Sequence, residues 1–192
     1  FTEWNRIPGF SMFGGVSCQE CHMPVKENGY HDHRFIGVDL DLSIPISENP
    51  LYNEVQDLLS TSAVMNFSIN QDTVASTITP GQILAIPLTV SSLTAHNLPS
   101  GTSFNREAWV EIIVYNNNET IFSSGNIESN QNLDINDSNL LVFTSYLYDE
   151  NGNETHDISN FVNMENYTLA PYQDRYNTYD IQLSNEVSGE LN

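Results

Sequence analysis

Residues 83–90 read ILAIPLTV. Leu84, Ile86, Leu88 and Val90 recur at every second position, which is the period of a strand with one face buried. Pro87 cannot donate a ladder hydrogen bond, so it points to an edge strand or a bulge. The same period returns in EAWVEIIVY at 107–115, where Ala108, Val110, Ile112 and Val114 oppose Trp109, Glu111, Ile113 and Tyr115. It continues in LLVFTSYLY (140–148) and in YNTYDIQL (176–183), whose Tyr179, Ile181 and Leu183 oppose Asp180 and Gln182. TPGQ, YNNNE and DENGNE lie between these runs and supply Gly, Asn, Asp and Pro for turns. Short alternating strands separated by such turns predict a mainly β fold, an Ig-like antiparallel β-sandwich over residues 64–192.

Upstream of the sandwich the pattern changes twice. In residues 48–63, Leu51, Tyr52, Val55, Leu58 and Leu59 fall at helical spacings, with Ser47 or Asn49 as a cap and Pro50 in the first turn. This is the one short helix the sequence predicts, and it reads as a connector packed on the main body. Residues 1–47 show neither period. They hold both cysteines, three of the five histidines (His22, His31 and His33), and many Gly and Pro. So irregular a segment needs something besides an apolar core to hold it, such as a disulfide, a metal or a cofactor.

Composition narrows the partners. The chain has 192 residues, enough for one domain plus a small appended segment. Its 25 acidic against 5 basic residues give a net charge of −20, which repels nucleic acid and favours cationic partners. No apolar run approaches the ~20 residues a membrane-spanning helix needs. No signal peptide is visible, and the opening FTEWNRIPGF lacks an initiator Met, which reads as a processed product or a fragment. N-x-[ST] sequons occur at Asn66, Asn118, Asn136, Asn153 and Asn166, as expected by coincidence in a chain this rich in Asn. DENGNETHD (149–157) carries Glu154 where a calcium-binding EF-hand loop needs Gly, so it reads as a hairpin turn.

Both cysteines lie in SCQECHMP (17–24). Cys18, Cys21 and His22 form the CxxCH pattern of covalent c-type haem attachment. Each thiol adds to one haem vinyl group, the two intervening residues set the sulfur separation, and His22 becomes the proximal iron ligand. Three other chemistries compete. A CxxC redox pair wants a thioredoxin-like βαβ context, which is missing here. A zinc site needs two further ligands, which His31 and His33 could supply. A disulfide closing so short a loop gains little entropy.

A haem iron takes a sixth ligand or keeps an open face. His33, in HDHRFIG, could fold over the ring, and His96, in TAHNLPSG, sits in a turn between two sandwich strands. His31 is a weaker candidate and His156 weaker still. Met12, Met65 and Met164 could also ligate, whereas Met23 adjoins His22 and does not easily reach the opposite side. Asp32 could orient His31 or His33. Arg34 and Arg106, two of the five basic residues, could pair with haem propionates or simply form surface ion pairs.

These segments resemble one family. CQECHMP followed by HDHRFIG is similar to the haem segment of multihaem c-type cytochromes, where CxxCHMP precedes a His-x-Phe or Asp-His motif. AHNLPSGTSFNREAWVEIIVYNNNETIFSSG resembles the stretch these proteins carry as Gly-His-x-x-Pro-Thr-Gly, then Arg-x-x-Trp and a strand, with Ala95 and Ser100 replacing the usual Gly and Thr. FTEWNRIPGFSMFGGVSCQECHMP resembles the stretch joining an earlier haem motif to the CxxCHMP one. The resemblance covers roughly the first 40 residues and residues 90–125. It implies at least one haem c bound through Cys18 and Cys21, with His22 proximal and a distal His, His96 or His33. It also implies further haem motifs upstream in relatives, so the chain reads as a C-terminal portion of a longer protein or as a single-haem subunit.

Together the residues and the resemblance predict a secreted, prokaryotic, periplasmic or extracellular c-type cytochrome that carries electrons. Its expected partners are other cytochromes or haem-bearing chains and redox proteins, in a homo-oligomer or polymer. Two alternatives belong to other classes: a haem enzyme reducing a small oxyanion or sulfur compound at an open iron, and a β-sandwich binding or adhesion module with an accessory haem.

Overall fold

The computed structural model describes residues 17–67, 79–127 and 132–187. The opening stretch up to residue 16, including Met12, and residues 128–131 of the polar loop lie outside the described residues.

The expected alternation appears as antiparallel strands. β1 (Ala63–Phe67), β2 (Ile83–Ser92) and β10 (Asp174–Gln182) form one sheet in the order β1-β2-β10. β3 (Ala108–Trp109) pairs with β6 (Val142–Phe143), and β4 (Ile112–Asn116) pairs with β5 (Glu119–Ser124). β7 (Ser145–Tyr148) lies between β8 (Glu154–Thr155) and β9 (Asn163–Asn166). The register places Ile86 opposite Tyr179 and Leu84 opposite Ile181, so the apolar positions of β2 and β10 share a face. That face meets Val110, Ile112, Val114, Leu141 and Phe143 in one continuous buried cluster, giving the two-layer, sandwich-like body.

Two of the expected strands are each split. EAWVEIIVY becomes β3 and β4 because the chain changes partner between them: Val110 N–H donates to the Leu141 carbonyl, and β4 then turns to β5. LLVFTSYLY becomes β6 and β7 around Thr144, a buried residue whose hydroxyl donates to the carbonyls of Ser103 and Arg106. Pro87 needs a correction of its own. β2 is the middle strand of its sheet, with β10 on one side, where Pro87 pairs with Thr178, and β1 on the other, described as far as Phe67 opposite Leu88.

The turns follow their residues. Asn117 and Asn118, both at positive φ, form the two-residue β4–β5 turn, as a type I′ hairpin requires. Asp149 closes the β7–β8 hairpin by accepting from the N–H groups of Asn151 and Asn153, so DENGNE is a turn as read.

Among the described residues two α-helices precede the sheets. α1 (Cys18–His22) falls on the CxxCH motif, and α2 (Tyr52–Ser60) falls within the expected connector. The Asn49 side-chain oxygen accepts from Leu51 N–H, the Tyr52 N–H bonds to the Asn49 carbonyl, and Val55 is the buried contact of α2.

Candidate cofactor site

α1 makes one short turn of helix on the CxxCH residues. Ser17 N–H donates to the Glu20 carboxylate, the returning arm of a capping box, and Met23 N–H closes the other end on the Gln19 carbonyl. Cys18 and Cys21, three residues apart on a helix, lie on one side of it, and both are exposed free thiols. They form no disulfide with each other.

After α1 the chain forms a small hairpin. Val25 bridges to His31, Lys26 N–H bonds to the Tyr30 carbonyl, and Asp32 N–H bonds to the Pro24 carbonyl. The chain then returns to His22. Ile36 N–H donates to the His22 carbonyl, and the His22 Nδ1–H donates back to the Ile36 carbonyl at 2.5 Å. Phe35, held at φ 50°, lays its ring on the His22 imidazole at 4.8 Å and 16°.

The His96 ring also lies near that of His22, with ring centroids 6.2 Å apart and planes 22° from parallel. Its Nδ1 contacts the Asn97 carbonyl at 2.8 Å. In both histidines a main-chain carbonyl accepts from Nδ1–H, so the neutral ring carries its lone pair on Nε2. The sandwich fixes the His96 loop. Leu98 and Leu169 exchange two main-chain hydrogen bonds, and the Thr94 hydroxyl donates to the His96 carbonyl.

The other candidates lie elsewhere. His31 is exposed, with Nδ1 on the Met23 carbonyl at 2.6 Å. His33 is exposed on the loop after the hairpin, and its ring is not paired with that of His22. His156 is exposed, 3.9 Å from Glu154. Met65 and Met164 are exposed on the sheets. Among the described residues no three His, Cys, Asp or Glu side chains converge on a metal-sized site, so the zinc arrangement with His31 and His33 is not formed.

Arg34 and Arg106 form ion pairs, one of the two roles the sequence left open for them. Asp32 is 4% exposed and orients neither His31 nor His33. Its carboxylate accepts from Arg34 Nε and Nη2, from the Arg34 N–H, and from Lys26 at 3.4 Å. The Arg34 hydrogen bonds hold Asp32 far below the usual carboxylate range, and Asp32 in turn raises Arg34. Arg34 Nη1 reaches Glu54 of α2 at 2.9 Å. Arg106 joins the two sides of the site: Nη1 donates to the Ser100 carbonyl on the His96 loop, and Nη2 pairs with Asp39 at 2.9 Å. Trp109, the aromatic of the Arg-x-x-Trp run, donates its Nε1–H to the Gly125 carbonyl.

Sequence reasoning missed Phe35 and the Ile36 carbonyl, because neither an aromatic side chain nor a main-chain oxygen carries a motif. It noted Arg34, but its partner Glu54 is twenty residues away and becomes visible only once α2 is packed.

No family model matches the chain, and no curated protein matches it in sequence. Among solved structures it is similar to a penta-heme cytochrome c552 from Thermochromatium tepidum, at 21% identity and a TM-score of 0.63. The match covers 97% of this chain and 39% of that one, so the chain spans about two-fifths of that protein's length. The likeness is one of fold.

Proposed function

We propose that the chain is a c-type cytochrome unit that carries electrons outside the cytoplasm. Cys18 and Cys21 hold one haem c through thioethers, His22 is the proximal ligand and His96 the distal one. One observation carries the reading: the CxxCH histidine faces a second imidazole at 6.2 Å in a nearly parallel plane. Two imidazoles on opposite sides of one metal ion stand roughly 6.3 Å apart, taking metal–nitrogen bonds of about 2.0–2.1 Å and about 1.1 Å from nitrogen to ring centre. The exposed free thiols and the Nδ1 hydrogen bonds of both histidines fit the same group, and so does the fold of a protein that its title describes as penta-heme.

When bound, the haem supplies one-electron redox chemistry, and the residues around it set its potential. His22 and His96 would saturate the iron, which favours electron transfer over substrate turnover. The Ile36 and Asn97 carbonyls hold the Nδ1 protons and raise the basicity of both rings. The acidic surface stabilises the positively charged oxidised centre, which lowers the potential further.

In this reading residues 1–47 are the haem segment, 48–63 the connector and 64–192 the sandwich that presents His96. Haem c attachment places maturation in the periplasm or beyond the cell. Partners are then redox proteins and other haem-bearing chains, including further copies of this one. Among the described residues no helix is long and apolar enough to cross a membrane.

The test is expression with a cytochrome c maturation system, followed by a denaturing gel stained for haem. The wild-type chain should keep its haem through denaturation, and Cys18→Ala with Cys21→Ala should lose it. A wild-type chain without covalent haem overturns the reading.

A further inference from the structure

Arg34 touches neither thiol nor either imidazole of the site, yet it controls the segment that does. Its guanidinium spans two carboxylates, Asp32 through Nε and Nη2 and Glu54 through Nη1. Asp32 is anchored by its N–H to the Pro24 carbonyl, two residues beyond His22. Glu54 belongs to α2, which packs through Val55. Arg34 therefore ties the exit of α1 to a second rigid element. The next two residues are Phe35, held at positive φ with its ring on His22, and Ile36, which exchanges two hydrogen bonds with His22. A non-glycine residue at positive φ persists only when its surroundings hold it there. The bidentate Arg34 contact, fixed on both sides, is one such constraint, beside the Ile36–His22 hydrogen bonds.

We propose that Arg34 is a positioning residue: by locking Asp32 to Glu54 it presses the Phe35–Ile36 main chain onto His22 and so fixes the plane of that imidazole and the site of its proton. The inference deepens the haem reading and rests on it for the redox consequence. The tautomer of His22 is a property of the chain alone. Fixing the Nδ1 proton on Ile36 keeps Nε2 bare and strengthens it as a donor toward a metal. Loosening the brace weakens that donor, which should favour the reduced state and raise the potential.

The experiment compares wild type, Arg34→Ala, Arg34→Lys and Asn49→Ala as full-length holoproteins. Each is measured by redox titration and low-temperature electron paramagnetic resonance. His22 is also followed by ¹⁵N resonance in the haem-free full chain. Arg34→Ala should raise the midpoint potential and broaden or shift the low-spin g values. Arg34→Lys should not restore them, since an ammonium cannot make the fork to Asp32 while reaching Glu54. Asn49→Ala removes the side-chain hydrogen bond to Leu51 N–H just before α2 without touching the brace, so it should keep the wild-type potential and g values. In the haem-free chain, His22 should carry its proton on Nδ1 in wild type and as a mixture in Arg34→Ala. Unchanged potential and g values in Arg34→Ala holoprotein overturn the inference, as does matching behaviour of Arg34→Ala and Asn49→Ala. If wild type binds no haem, the functional reading fails separately and the tautomer decides the brace. A His22 proton on Nε2 in wild type, or an unaltered tautomer in Arg34→Ala, then overturns it.

Discussion

The sandwich and the segment before it keep their shapes by opposite means. Among the described residues, thirteen of the fourteen buried hydrophobic side chains belong to the sandwich, and Val55 is the exception. The segment from Ser17 to α2 leaves Val25, Tyr30, Phe35, Val38, Leu42 and Ile46 exposed. Its order comes from a one-turn helix, a small hairpin and the Asp32–Arg34–Glu54 cluster. Surface ion pairs and short helices stabilise weakly on their own. In the account given above, the haem supplies the apolar surface that this segment lacks, and the sandwich supplies a rigid wall carrying His96. The motif-bearing segment carries the residues proposed to hold haem, and the alternating strands carry most of the buried apolar core.

The comparison breaks most easily at the thioethers. Removing both with Cys18→Ala and Cys21→Ala should loosen the N-terminal segment while the Arg34 brace and the His22–Ile36 contact persist and the β-sheet signal is unchanged. Hydrogen exchange should show amides over 17–47 faster than in the haem-loaded chain and unchanged protection in β2 and β10. Uniform loss of protection would mean that the two regions fold as one. Inside the sandwich, Leu88→Ala opens a cavity at a residue that is 1% exposed and should cost about 2–5 kcal/mol, read by denaturant melting. Gly125 lies at φ 66°, and a Cβ there would collide with the Val110 carbonyl oxygen. Gly125→Ala should therefore cost at least about 1–3 kcal/mol by the same melt. Asn49→Ala should cost less, about 0.5–2 kcal/mol, with the loss confined to α2 and the segment before it.

The smallest expected effect is the pH dependence of the ion cluster. Asp32 titrates far below its unfolded value near 3.9, so at lower pH the unfolded chain takes up the proton first. The cluster's contribution is complete above about pH 5 and declines as acid is added below about pH 4. Asp32→Asn should flatten that acid decline. An unchanged profile would remove Asp32 from the account of the segment's stability.

Much of this was legible in the sequence because a half-buried strand writes itself as alternation. β2 and β10 each keep one face on the core, so Leu84 to Val90 and Tyr179 to Leu183 show it. Asn117 and Asn118 announce a turn because they tolerate positive φ. The break between β3 and β4 left no mark because it comes from a change of partner at Val110, and the break between β6 and β7 left none because Thr144 turns its hydroxyl to the distant Ser103 and Arg106 carbonyls. α1 was invisible because five residues are too few to show a helical period. The CxxCH spacing of Cys18, Cys21 and His22 was legible as local spacing. The approach of the His96 ring to His22 was not, because it depends on how the sandwich loop packs against the segment. The partners of Arg34 and Arg106 were hidden for the same reason: Glu54 and Asp39 are brought to them by packing, not by sequence spacing.

The pairing of His22 with His96 is the centre of the account, and the ferric absorption and paramagnetic resonance spectra of the holoprotein test it most directly. Wild type should be low-spin and six-coordinate, His96→Ala should become high-spin with haem still covalently attached, and His33→Ala should match wild type. A low-spin spectrum that survives in His96→Ala, or is lost in His33→Ala, would contradict it.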